Sequence, residues 1–215
     1  AWDPRFLILI FGSTLLDFAV AKRMPSAPPA RRKQLLTLSL LANLGSLAVF
    51  KYADFGVETL NFLLGTEWEL LALTLPVGIS FFTFQSMSYT IDIYRDELDP
   101  IDDYPRYLLY VSFFPQLVAG PIVRASEFLP QLHKRPRLTR EDLDFGLFRI
   151  FKGLAKKVLI GDLVGAFLVD IVFESPGDFT SFEILLALYG FTLQIYADFA
   201  GYSDIAIGVA RLLGF

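Results

Sequence analysis

Apolar residues along the chain gather into blocks of roughly one membrane thickness, separated by short charged segments. A bilayer core needs about 20 apolar residues at about 1.5 Å rise, which sets the reading of these blocks. Phe6–Ala21 is a short first span and Leu35–Tyr52 a second, with the Pro-broken basic segment 22–34 between them. Leu70–Ile91 is the clearest span by hydropathy, tolerating Pro76 and Gly78 as membrane helices do. Tyr107–Val123 is apolar but interrupted by Pro115 and by Gly120-Pro121; Val158–Phe173 and the stretch from Phe182 onward complete the series. The pattern predicts an all-α, polytopic transmembrane protein.

Basic residues orient the spans. Lys22, Arg23, Arg31, Arg32 and Lys33 place the first loop in the cytoplasm, and the acidic linker with Asp54, Glu58, Glu67 and Glu69 falls outside. Arg124–Lys157 holds nine of the nineteen Lys and Arg. It would lie outside if Tyr107–Val123 crossed the membrane, so that segment is expected to enter, break at its prolines and leave on the same side. The basic cluster reads as a lipid-headgroup and topology signal, with no nucleic-acid partner implied.

Composition agrees: 54% of residues are hydrophobic, with 22 Phe and a mean hydropathy of +0.50. The net charge of −4 says little, because the charges sit between apolar blocks. No cysteine is present, which excludes thiol nucleophiles, disulfides and Cys-ligated metals. GxSxG, HExxH, Walker A and dinucleotide Gly-rich patterns are missing too, and no metal site is expected. The single histidine, His133, lies in a Pro-bracketed basic loop and reads as solvated. The chain starts at Ala1 and stops after an apolar run at Phe215, so residues 1–215 are expected to be one membrane domain, an internal piece of a longer protein.

Polar residues inside apolar blocks carry the candidate chemistry. Gln85, Ser88, Tyr89 and Asp92 share one helical face opposite Phe81 and Phe84, either lining an internal chamber or gluing helices together. In Leu193–Phe215, Gln194, Asp198 and Tyr202 share a face, while Asp204, Gly208 and Arg211 share another. A carboxylate at bilayer depth is costly unless paired or wetted. The spacing pairs Asp204 with Arg211 and leaves Asp198 without a local cation, which makes Asp198 the stronger functional candidate. Gly161 and Gly165 form a GxxxG read as a packing element.

Three long segments, LPVGISFFTFQSMSYTIDIYR (Leu75–Arg95), FFPQLVAGPIVR (Phe113–Arg124) and LQIYADFAGYSDIAIGVARLLGF (Leu193–Phe215), are joined by GLAKKVLIGD (Gly153–Asp162). In order and spacing they resemble the membrane-bound O-acyltransferase (MBOAT) family, in particular its alginate O-acetyltransferase branch, which KYADFGVETLN (Lys51–Asn61) also resembles. Ala197 and Ala200 depart from residues frequent in relatives, which touches local packing only.

The resemblance implies a ring of helices around a thin centre pierced by a tunnel. It implies transfer of an acetyl group, from acetyl-CoA on the cytoplasmic side, to a polysaccharide hydroxyl outside. The setting would be a bacterial inner membrane, with periplasmic polysaccharide-acetylation proteins as partners and no bound cofactor. The family's catalytic histidines belong to segments after the LLGF motif, and His133 matches neither, so no catalytic residue carries over. Supporting roles fall to Gln116, Pro121 and Arg124 in the re-entrant wall, Arg124 as a phosphate partner, and to Tyr196, Asp198, Tyr202 and Asp204 in the chamber wall. D-alanyl transfer to teichoic acid, acetylation of another exopolysaccharide, and a transporter or flippase remain as alternatives.

Overall fold

The computed structural model describes residues 5–117, 120–133 and 137–215, and every regular element among them is helical. The chain divides into two compact units, Ala1–Val118 with Ile122–His133, and Ala119–Pro121 with Lys134–Phe215.

The first unit is built on α1 (Arg5–Arg23), α2 (Pro29–Leu64) and α3 (Ile79–Tyr94). Pro28 is extended and Pro29 occupies the first turn of α2, where its missing N–H costs nothing. Gly65, at φ 64°, ends α2 in the left-handed conformation that glycine adopts without strain. α2 thus contains the expected second span and continues through much of the stretch read as an acidic linker.

The expected span Leu70–Ile91 is corrected. Its first nine residues are not helical; α3 starts only at Ile79, after Pro76 and a left-handed Gly78. The residues before it are instead tied to α2. Asn61 accepts from Trp68 N at 2.9 Å and donates to Trp68 O at 2.9 Å, and Asp54 accepts from Leu71 N at 2.8 Å. Those bonds give the backbone partners outside a helix, which hydropathy alone does not register.

Downstream, α4 (Tyr104–Ser112) breaks at Phe113, α5 (Phe114–Leu117) is a single turn containing Pro115, and α6 (Ala125–Phe128) runs into a 3₁₀ turn at Leu129–His133. The expected break in Tyr107–Val123 is therefore present.

The second unit is a helical hairpin. Thr139 and Asp142 form a capping box that starts α7 (Arg140–Ala155). Helical backbone then continues without interruption to residue 174 through two wide π-helical stretches, Lys156–Asp162 and Gly165–Val169, into α8 (Asp170–Glu174). The later part of the basic segment Arg124–Lys157 is thus helical, from Arg140 onward. A second capping box, Thr180 with Glu183, opens α9 (Ser181–Leu212), a helix of 32 residues.

Two helices, α2 and α9, are long and apolar enough to cross a membrane. In their most apolar windows only 17% and 22% of residues are buried. Large side chains such as Leu41, Phe55 and Phe62 on α2 and Phe182 and Tyr189 on α9 face outward, which water would penalise and lipid would not.

Candidate functional site

Glycines set the geometry of the hairpin. A Cβ on Gly201 would stand 2.7 Å from the Gly153 carbonyl oxygen, and one on Gly208 would stand 2.6 Å from that of Gly146. Both distances are too short for any side chain, so α7 and α9 touch backbone to backbone at positions seven residues apart on each helix. Farther along, Gly161 and Gly165 make room for the side chains of Asp198 and Gln194. The GxxxG is therefore a packing seam whose occupants are two polar candidates.

That close approach concentrates charge. Asp204, with its side chain only 6% exposed, accepts from Arg149 Nη1 and from Lys156 Nζ at 2.7 Å, and Lys152 Nζ stands 3.9 Å away. Lys157, the next residue along, turns to Asp198 at 2.8 Å and Asp162 at 2.7 Å. Consecutive lysines at the start of the π-helical stretch thus serve two carboxylates six residues apart on α9. π-Helical turns are rare and are frequent at functional sites.

Asp198 and Lys157 open onto a pocket of about 380 Å³ lined also by Ile195, Phe199, Tyr202 and Ile205. Side-chain exposures of 37% for Asp198 and 44% for Lys157 leave the pair reachable. A charge pair and a phenol on an apolar wall make a surface that can orient a polar group while excluding most water.

In the first unit, Gln85 and Gln116 converge on one acceptor, donating to the Tyr110 carbonyl at 2.8 and 2.9 Å. The Tyr110 hydroxyl donates to the Val123 carbonyl at 3.0 Å. The broken helix frees backbone carbonyls, and these side chains satisfy them. Tyr89, fully buried, accepts from Ile101 N at 3.0 Å. A second buried cluster centres on Asp17. Ser39 Oγ donates to it at 2.6 Å and Asn43 Nδ2 at 2.8 and 3.0 Å, and Ser39 contacts Thr90 Oγ1 at 3.2 Å.

The sequence profile of the membrane-bound O-acyltransferase family matches residues 94–215. Over its whole length the chain is 36% identical to the probable alginate O-acetylase AlgI of Pseudomonas aeruginosa, of which it covers 42%. The chain belongs to the membrane-bound O-acyltransferase family. It is also 34% identical over 97% of its length to the peptidoglycan O-acetyltransferase of Helicobacter pylori, covering 44% of that protein. Against the teichoic acid D-alanyltransferase of Bacillus subtilis it is 30% identical over 64% of its length. The chain therefore spans less than half the length of these relatives.

Within this MBOAT chain, the sequence candidates separate by role. Asp198 and Tyr202 share the pocket with Lys157, while Gln194 lies against Gly165. Tyr196 is 65% exposed on α9, Arg124 is exposed, and Pro121 is half-buried in non-helical chain. Two pairings are corrected. Arg211 binds Asp142 at 2.7 Å rather than Asp204, and Asp198 does have a cation, Lys157, supplied from 41 residues upstream. His133 is exposed, as expected, at the end of the 3₁₀ turn; its Nδ1 donates to the Leu129 carbonyl at 3.3 Å, and Nε2 takes a hydrogen bond from Arg106 at 2.7 Å. Asp17 is a site the sequence reading passes over, although an aspartate inside the apolar run Phe6–Ala21 carries the same signal as Asp198.

Proposed function

We propose that the full-length protein is an O-acetyltransferase that moves an acetyl group across a bacterial inner membrane onto an exopolysaccharide such as alginate. The observation that carries this reading is the 36% identity over 100% of the chain to the probable alginate O-acetylase AlgI. The D-alanyltransferase likeness covers only 64% of the chain, which favours acetyl over D-alanyl as the group transferred.

Acetyl-CoA is the donor in this reading. A polysaccharide hydroxyl attacks the thioester carbonyl; the C–O bond forms, the C–S bond breaks, and a base carries the hydroxyl proton toward the leaving thiolate. The base is a histidine of the kind the family carries after its LLGF motif, here Leu212–Phe215. Asp198, Lys157 and Tyr202 form part of the chamber wall and act by positioning. Donor on the cytoplasmic side, polymer outside and periplasmic acetylation proteins as partners complete the proposal.

The near-equal identity to the peptidoglycan O-acetyltransferase gives the acceptor a second candidate among cell-envelope glycans. Deleting the gene and analysing exopolysaccharide and peptidoglycan by NMR tests both. Loss of alkali-labile acetyl esters from the exopolysaccharide is expected. Loss from peptidoglycan alone moves the acceptor, and loss of D-alanyl esters or no ester change contradicts the proposal.

A further inference from the structure

We propose that Arg149, Lys152 and Lys156, gathered on Asp204, form a binding site for a phosphate monoester. The inference stands on the charge geometry of the hairpin and does not rest on the acyl-transfer reading.

Three cations meet one carboxylate there, and among the described residues all the ion pairs these three side chains make go to Asp204. The cluster keeps a surplus of two positive charges. On the helix the three cations stand at i, i+3 and i+7, spacings at which like charges crowd one another and destabilise the helix unless an anion joins them. A phosphate monoester carries about −1.5 to −2 charge at neutral pH, which matches the surplus.

Donor capacity matches as well. Arg149 has five N–H groups and each lysine three, and Asp204 occupies few of them. Lys152, at 3.9 Å, stands beyond hydrogen-bonding reach of Asp204, so its ammonium donors are open to a second acceptor. Side-chain exposures of 30%, 45% and 26% for Arg149, Lys152 and Lys156 leave the group reachable. Buried Asp204 fixes the Arg149 and Lys156 head groups, and the Phe145 ring, 5.5 Å from the Arg149 guanidinium, braces Arg149 further. The site is thereby organised before a ligand arrives, which lowers the cost of binding. Lys157, spent on Asp162 and Asp198, is excluded from it.

The same chemistry is offered by a soluble phosphate ester and by a phosphatidate headgroup, and two arms separate them. The full-length protein in phosphatidylcholine nanodiscs is titrated with phenyl phosphate and followed by ³¹P NMR. In parallel, nanodiscs containing phosphatidic acid are scored by native mass spectrometry for lipid retained on the protein. Binding in the first arm identifies a soluble ester, and retention in the second a headgroup. In whichever arm responds, Lys152→Gln weakens binding about tenfold and Lys152→Arg restores it. Lys152 is chosen because it makes no hydrogen bond to Asp204, so its loss leaves the hairpin paired. No binding in either arm overturns the proposal, as does binding that Lys152→Gln leaves unchanged.

Discussion

Lys157 Nζ lies 2.8 Å from Asp198 Oδ1, joining the π-helical stretch after α7 to the centre of α9 across a seam kept narrow by glycine. The pair is partly exposed and borders the pocket, so its worth lies in orientation more than in stability. Asp198→Ala in the full-length protein is therefore expected to lower acetyl transfer at least about tenfold, the scale of one lost charge-assisted hydrogen bond, with membrane abundance unchanged. Ester quantification beside an immunoblot checks it. Unchanged acetylation would sink the assignment of Asp198.

The glycine seam gives a stability prediction with its own control. Gly201→Val forces a side chain against the Gly153 carbonyl and is expected to cost about 2 kcal/mol or more, seen as a lower melting temperature in detergent. Gly45→Ala, on α2 where nothing lies within 4 Å, should be neutral or slightly stabilising.

Asp17 predicts a graded response. Asp17→Ala removes the shared acceptor of buried Ser39 and Asn43 and should destabilise by about 2 kcal/mol, whereas Asp17→Asn keeps an acceptor oxygen and should cost less. Equal melting temperatures for the two variants would contradict the cluster as described.

Much of the helical order was legible in the apolar blocks; the Thr139 and Thr180 caps and Gly65 are further local signals that hydropathy alone leaves unread. The errors came from partners distant along the chain. Leu70–Leu75 has the hydropathy of a span, but Asp54 and the bonds of Asn61 hold the neighbouring backbone outside a helix. Asp204 and Arg211 lie two turns apart on one helix, about 10 Å at 1.5 Å per residue, too far to pair directly. Their true partners, Arg149, Lys156 and Asp142, come from the facing helix, and periodicity within one segment cannot supply them.

Acid should loosen the start of α7. Hydrogen bonds from the Thr139 hydroxyl and backbone N–H, aided by the Arg211 charge, hold the Asp142 carboxyl below its ordinary 3.8. A depressed carboxyl contributes stability that is complete above its unfolded value and is lost as pH falls through the folded one. The melting-temperature gap between wild type and Asp142→Asn is thus expected to be constant above about pH 5 and to close below pH 3.8. A gap that persists at low pH would contradict the linkage.

The most direct test of acyl transfer is reconstitution of the full-length protein, with its periplasmic partners, into proteoliposomes. Radiolabelled acetyl-CoA is supplied on the side of the basic loop Lys22–Lys33, and unacetylated alginate on the other. Alkali-labile label on the polymer is the expected result. A folded, correctly oriented protein that transfers no label to alginate or to any envelope glycan would contradict it.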